Sequence, residues 1–96
     1  MKQLVFSPAA HNDLLNIWDY GADNFGEDAA DRYHDEIMDI MERVAAGVYR
    51  GRDASHIRAG YLKYNLRREV AFYRESADRI EVIRILGGAM DHARHL

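Results

Sequence analysis

The sequence predicts an α+β domain in which an N-terminal strand and a helical hairpin precede a three-stranded antiparallel meander, in the order β-α-α-β-β-β. Apolar residues recur at three- and four-residue steps through the first half of the chain, which is the spacing of one helix face. In the second half they alternate, as half-buried strands require. A chain of 96 residues has the length of one domain, so we expect residues 1–96 to form it.

A strong helix-start signal separates the first strand from the first helix. Gln3–Phe6 is short and β-prone, and Ser7 and Pro8 follow it directly. Serine is a good N-cap, and proline is favoured at the first helical position because its missing N–H would be unpaired there anyway. The helix therefore begins at Pro8 and ends at Gly26, which can adopt a left-handed C-cap conformation. Its apolar stripe consists of Ala10, Leu14, Ile17, Trp18, Gly21 and Phe25. The residues left mostly toward water are Asn12, Asp13, Asn16, Asp19 and Asp23.

A second helix follows almost at once. Glu27 and Asp28 lie in its first turn, where the helix dipole favours negative charge, and Gly47 closes it. The short link at Gly26 requires the two helices to lie antiparallel as a hairpin. The apolar stripe of the second helix consists of Ala30, Tyr33, Ile37, Ile40, Met41, Val44 and Ala45.

The second half of the chain is predicted to be a meander. Val48–Gly60 has no sustained periodicity and is expected to be a connecting loop. Tyr61–Asn65 and Glu69–Arg74 alternate and are expected to be strands joined by a turn at residues 66–68. Arg79–Leu86 is the most β-branched run in the chain and carries apolar residues on both parities, which predicts a central strand. Gly87 and the glycine after it end this strand, and residues 90–96 form a polar tail.

This arrangement leaves one sheet face without an obvious cover. The helical hairpin covers the other face, and three short strands supply too little material for the second. We expect an uncovered face with apolar residues between arginines to be a docking surface.

Charge is divided unevenly along the chain. Residues 1–46 hold ten acidic and three basic residues, whereas residues 47–96 hold six acidic and ten basic residues, within a net charge of −3. Such an asymmetry is a hint of an anionic partner.

Several function classes lack the residues that they need. The chain has no cysteine, and its five histidines lie on separate elements without an acidic cluster, so we expect no metal and no cofactor. No serine lies in a nucleophile elbow, and no glycine-rich phosphate loop is present. No apolar run approaches the roughly 20 residues of a membrane span, and no secretory signal is evident, so we expect a cytoplasmic protein that does not bind membranes.

The basic half places cations on all three predicted strands of the meander. Lys63, Arg74 and Arg84 occupy these positions, with Tyr61 and Phe72 between them. Arginine and aromatic residues on a sheet can bind RNA by charge and base stacking. They can equally bind an acidic peptide through bidentate arginine–carboxylate pairs, or they can simply protect strand edges against aggregation.

The motifs together resemble the ParE branch of the RelE/ParE toxin superfamily, over about residues 4–96. In the first half they are Ser7-Pro8-Ala9-Ala10, Asp13-Leu14, Ile17-Trp18-Asp19-Tyr20, Phe25-Gly26 and Ala30-Asp31-Arg32-Tyr33. In the second half they are Ile57-Arg58-Ala59-Gly60-Tyr61, Phe72-Tyr73-Arg74, Ile83-Arg84-Ile85-Leu86 and Met90-Asp91.

The resemblance implies a toxin of a type II toxin–antitoxin system, usually encoded on plasmids, where it serves plasmid stabilization, or on bacterial chromosomes. Its members are neutralised by a ParD-like antitoxin with a DNA-binding ribbon-helix-helix part and a C-terminal segment that wraps the toxin. ParE-type toxins are regarded as inhibitors of DNA gyrase that act by binding, without catalytic residues. The resemblance therefore implies no direct sequence-specific nucleic-acid binding by this chain.

We expect the antitoxin segment to lie across the strands, with aliphatic side chains in pockets between the hairpin and the sheet. The residues assigned to antitoxin binding are Tyr61, Lys63, Phe72, Arg74 and Arg84. The residues assigned to the target are Met90, Asp91, His92 and Arg94.

Two alternatives stay open at this point. RelE-like relatives cut messenger RNA on the ribosome, and a nuclease of that kind would use Arg58, Arg74, Arg84 and a histidine of the tail. The chain lacks a tyrosine after Tyr73, which favours the ParE branch. It also has Gly87-Gly88-Ala89 where ParE relatives commonly carry His-x-Arg before Met-Asp, so a non-toxic remnant that only binds its antitoxin is the other alternative.

Overall fold

The computed structural model describes residues 1–96 and contains the predicted order of strand, helical hairpin and meander. The elements are β1 (Gln3–Phe6), α1 (Pro8–Phe25), α2 (Glu27–Ala45), β2 (Arg52–Asp53), β3 (Leu62–Asn65), β4 (Glu69–Glu75), β5 (Arg79–Gly87) and α3 (His92–His95). They form one five-stranded sheet in the order β1-β5-β4-β3-β2, in which β1 is parallel to β5 and the other pairs are antiparallel. The predicted α+β class and the central position of β5 are confirmed. No helix is both long enough and apolar enough to cross a membrane.

The segment predicted to be a plain connecting loop contains a further strand. Arg52 and Asp53 form β2, which pairs with β3 at the edge of the sheet. A strand of two residues is too short to produce an alternating pattern, so the sequence carried no signal for it. The sheet therefore has one strand more than expected, and this strand lies at its edge.

Helix α1 is tied to the sheet at its first turn. The Ser7 hydroxyl accepts a hydrogen bond from the Ala10 amide (3.0 Å) and donates one to the Ile83 carbonyl (2.6 Å). The Ser7 amide donates to the Val82 carbonyl of β5 (2.9 Å). Ser7 thus caps the helix, as the Ser-Pro signal predicts. It also fixes the start of the helix against the central strand.

The two long helices pack closely at their junction. Gly26 joins them with a φ of 93°, a conformation that favours glycine. Gly21 is buried, and a Cβ added there would lie 3.3 Å from the Cβ of Ala30. The absence of a side chain at Gly21 lets the helices approach each other at this point.

The main core lies between the hairpin and one sheet face. Leu14 of α1 and Ile37 and Met41 of α2 are buried against Tyr73 and Val82 of the sheet. Burying a large apolar side chain stabilises the fold by about 1.5–3 kcal/mol, so this layer holds the helices on the sheet.

The prediction of an uncovered second face is wrong. Val70, Phe72 and Leu86 form a second cluster on that face with Ala54 of the loop after β2. Residues packed against this cluster are Ile57, Tyr61 and Leu96, from the loop, the start of β3 and the tail. Irregular segments cover the face, and periodicity cannot reveal where an irregular segment folds back.

Candidate interaction surface

A bidentate ion pair joins the first helix to the central strand. Arg84 Nε donates to Asp13 Oδ2 (2.8 Å) and Arg84 Nη2 donates to Asp13 Oδ1 (2.9 Å). The Ile85 amide also donates to Asp13 Oδ2 (2.9 Å). Strand β1 ends at Phe6, so it does not reach the Ile85 amide of β5. The Asp13 carboxylate accepts this amide in place of a backbone carbonyl of a neighbouring strand.

Asp13 was expected to point mostly toward water, and this expectation is wrong, since the residue is only 9% exposed. Its carboxylate raises the pKa of Arg84 above the ordinary value through the hydrogen bonds between them. A buried carboxylate needs such partners, because an unpaired buried charge is costly. The helical spacing of the sequence could not show a partner 71 positions away.

The C-terminal tail is held on the second sheet face by contacts with backbone oxygens. Arg84 Nη1 donates to the His95 carbonyl (3.1 Å), and an Arg58 N–H donates to Leu96 O. His92 Nε2 donates to the Gly87 carbonyl (2.9 Å). These contacts engage both Arg58 and Arg84 within the chain.

The residues assigned to antitoxin binding do not form one exposed surface. Phe72 is 0% exposed and lies under the tail, where the ring edge of His92 meets it at a centroid distance of 5.0 Å. Tyr61 is half-buried, and exposed Arg74 is paired with Glu81 (2.8 Å), whose hydrogen bond raises the pKa of Arg74. Phe72 therefore lies behind the surface, whereas Arg84 is partly exposed.

The residues assigned to the target are mostly exposed. Asp91 and Arg94 are exposed, and Met90 is 42% exposed although its Sδ accepts a hydrogen bond from the Gly87 amide (3.1 Å). His92 is half-buried against Phe72.

A groove runs between α1 and the start of β4, and of the assigned site residues only Arg84 and Met90 line it. It consists of two cavities of about 510 Å³ and 450 Å³ that share Ile17 and Arg68. We call it the Arg68 groove. Its remaining lining includes Gly21, Phe25, Arg32, Tyr33 and Arg67 on one side and Asn16, Tyr20, Arg84, Leu86 and Met90 on the other.

Arg68 stands between two aromatic rings in this groove. Its guanidinium carbon lies 4.6 Å from the ring centroid of Tyr33 and 5.4 Å from that of Phe25. No carboxylate pairs with Arg68, whereas its neighbour Arg67 is paired with Glu36 (2.7 Å). The guanidinium is therefore held in place by stacking and keeps its N–H donors for a partner.

Tyr33 fixes the turn that carries Arg68. Its hydroxyl donates to the Glu69 carboxylate and accepts from the Arg68 amide (3.1 Å). Burial, reinforced by the hydrogen bond to Glu69, raises the pKa of Tyr33 to about 12. The hydroxyl thus stays protonated at neutral pH and continues to donate to Glu69.

Apolar side chains at the border of the groove are exposed to solvent. Phe25 was predicted to belong to the buried stripe, but it is 61% exposed and packs edge-on against Tyr20, which is 59% exposed (6.5 Å between centroids). Exposed aromatic residues beside an available guanidinium suit an amphipathic segment that carries acidic residues. The paired Arg67-Arg68 after a strand was the sequence signal that could have indicated this site.

The chain is similar along most of its length to known toxins. A family model described as "ParE toxin of type II toxin-antitoxin system, parDE" matches residues 4–92. Toxin ParE1 of Mycobacterium tuberculosis is 38% identical over 96 residues, which cover 99% of this chain and 98% of the relative. Toxin ParE1 of Caulobacter vibrioides is 33% identical over 96 residues, which cover 100% of this chain and 99% of the relative.

Solved structures share the fold. One described as the chromosomal ParDE TA system from P. aeruginosa matches with a TM-score of 0.77 and 23% identity, over 91% of this chain and 96% of that chain. Another, described as a YoeB/ParE toxin from Agrobacterium tumefaciens, matches with a TM-score of 0.57 and 18% identity, over 88% of this chain and 96% of that chain. At these identities the likeness concerns the fold alone.

Proposed function

The chain belongs to the ParE toxin family of type II toxin–antitoxin systems, and we propose that it is a toxin that a ParD-like antitoxin neutralises by direct binding. The family match over residues 4–92 carries this proposal. Relatives named as ParE1 toxins match over nearly their whole length, which supports the proposal further.

We propose the Arg68 groove as the binding site of the antitoxin segment. Its two cavities can take aliphatic side chains, and Arg68 can bind a carboxylate between them. The exposed rings of Tyr20 and Phe25 add apolar area at the border. Tyr61 and Arg74 remain proposed contacts of an antitoxin segment that continues across the sheet. Phe72 is buried and supports this site without touching the antitoxin, whereas Arg84 lines the second cavity and remains a proposed antitoxin contact.

Titration calorimetry with a ParD-like antitoxin tests this proposed binding site. Arg68→Glu should weaken the complex about 10- to 150-fold, because a charge-assisted contact is worth about 1.5–3 kcal/mol. Arg79→Glu is the matched control, since Arg79 is exposed and lies away from the groove. Equal affinity of the two variants would remove the groove from the interface, whereas no binding by the unaltered chain would contradict the antitoxin proposal itself.

DNA gyrase is the target that we propose, reached by binding rather than by catalysis. Arg58 and Arg84, which a RelE-like nuclease would direct at a phosphate, hold tail oxygens instead, and Arg74 is paired with Glu81. These pairings favour the binding mode over RNA cleavage. The exposed tail residues Met90, Asp91 and Arg94, together with His92, remain the proposed target contacts.

A supercoiling assay separates these modes of action. Micromolar chain should inhibit gyrase and trap cleaved DNA, and addition of the antitoxin should reverse both effects. Uninhibited supercoiling, together with new 5′ ends on translated messenger RNA after induction, would instead establish the ribonuclease alternative.

A further inference from the structure

A third concavity, of about 220 Å³, lies at the β2 edge of the sheet. Its six lining residues are Arg50, Gly51, Arg52, Lys63, Tyr64 and Asn65. Five of these residues carry side-chain hydrogen-bond donors, and three of the five are cationic. No lining residue carries a carboxylate. Neither the Arg68 groove nor the tail includes any of these residues, so the concavity is separate from the antitoxin binding site proposed above.

Two cations face each other here without neutralisation. Arg52 and Lys63 are directly opposite across the β2–β3 pair, an arrangement in which like charges repel. Neither forms an ion pair, although the nearby Arg50 pairs with Glu75 (2.6 Å) and Arg74 pairs with Glu81 (2.8 Å). Arg52 and Lys63 therefore stay without a carboxylate partner, although the chain has an excess of acidic residues.

The backbone of the concavity is held in place. The Gly51 amide donates to the Tyr73 hydroxyl (2.7 Å), and Tyr73 is buried in the main core. A Cβ at Gly51 would lie 2.5 Å from the Lys63 carbonyl oxygen, so the two segments approach too closely for any other residue. The Tyr64 ring is fixed by stacking on Tyr49 at a centroid distance of 5.6 Å. The cations thus project from a rigid edge.

We propose that this concavity binds the phosphate groups of a nucleic-acid backbone, with Arg52 and Lys63 as the principal contacts. Phosphate oxygens bind positive charges and hydrogen-bond donors, and nearly all the side chains of the concavity are of these two kinds. Contacts of this kind carry no sequence information, so they are compatible with the expected lack of sequence-specific binding. This proposal replaces the assignment of Lys63 to the antitoxin.

An acidic peptide is the competing occupant, and the geometry favours it less. An amphipathic segment needs pockets for its apolar side chains, and only Tyr64 among the lining residues is hydrophobic. Strand addition needs a run of unpaired backbone groups, and β2 has only two residues. The Arg68 groove offers the apolar volume that this edge lacks.

The acidic character of the whole chain does not oppose the proposal, because the carboxylates near this edge already have partners within the chain. Glu75 pairs with Arg50, and Asp39 of α2 pairs with Arg43. Asp53 accepts a hydrogen bond from the Ser55 hydroxyl. The Debye length is about 8 Å at physiological ionic strength, so distant carboxylates are screened from this edge.

Fluorescence anisotropy with a labelled 20-base-pair DNA duplex tests the proposal across a salt series. Arg52→Gln and Lys63→Gln should each weaken binding and reduce the slope of log K against log [salt] by about 0.9, the value for one phosphate contact. Arg79→Gln removes the same charge from an exposed site elsewhere and should leave the slope unchanged. Equal slopes in all three variants would overturn the proposal.

Amide chemical shifts of the unaltered chain give a second readout that does not depend on variants. Titration with the duplex should move the signals of Arg52, Lys63 and Asn65 first. An acidic peptide of equal charge should compete only weakly. If the signals of the Arg68 groove move instead, or if the peptide binds the edge more tightly than the duplex, the proposal is wrong.

Discussion

Asp13 and Arg84 are joined by two N–H···O bonds of 2.8 and 2.9 Å, although they are 71 positions apart. The same carboxylate accepts the Ile85 amide, and the same guanidinium donates to the His95 carbonyl. One ion pair therefore connects α1, the central strand and the tail. The loss of Asp13 or of Arg84 should therefore weaken the packing of all three segments.

Asp13→Ala should lower the free energy of unfolding by about 2–3 kcal/mol, since it leaves a partly buried guanidinium and the Ile85 amide without their acceptor. Urea denaturation measures this loss. Asp23→Ala, an exposed change on the same helix, should stay within about 0.5 kcal/mol of the unaltered chain. A similar result for both variants would mean that the pair contributes no net stability.

Tyr33→Phe should destabilise the fold by about 1–3 kcal/mol at neutral pH, because the Glu69 carboxylate and the Arg68 amide lose their hydroxyl partner. The raised pKa of Tyr33, about 12 against an ordinary 10.0, also sets a pH dependence. Its stabilisation is complete below pH 10 and is lost as the pH rises through 12.

The difference between the unaltered chain and Tyr33→Phe should therefore shrink between pH 10 and pH 12. Unfolding free energies at several alkaline pH values check this, and the titration of other groups is common to both proteins. A constant difference across that range would show that Tyr33 titrates normally.

Gly51→Ala should destabilise the chain by about 1–3 kcal/mol, because its Cβ would collide with the Lys63 carbonyl oxygen and the Tyr73 hydroxyl. Gly88→Ala is the matched control, since the nearest atom to its Cβ would be at an ordinary 3.4 Å. Thermal unfolding should separate the two variants by several degrees. Equal melting temperatures would contradict the rigid-edge geometry described above.

Local signals allowed most of the fold to be predicted, because they act between neighbours in the chain. Ser7 with Pro8 marked the start of α1, and Gly26 marked the hairpin link. The β-branched run ending at Gly87 marked the central strand. In each case the physical cause, a cap or a backbone preference, is contained within a few residues.

The candidate site was less predictable, because its contacts join distant segments. Asp13 borders the apolar stripe of α1, and its pairing with the distant Arg84 explains why a carboxylate is buried there. Phe72 lies in an alternating strand whose outer face is covered by the C-terminal tail and its short helix α3. Arg68 was assigned to a turn, and its stacking between Phe25 and Tyr33 depends on how the hairpin packs.

Growth after induced expression tests the central proposal most directly. Cells that express this chain alone should stop growing, and co-expression of a ParD-like antitoxin should restore colony counts. A matched gene with an early stop codon controls for the burden of expression. Unimpaired growth with abundant folded chain would contradict the toxin assignment and leave only an antitoxin-binding remnant.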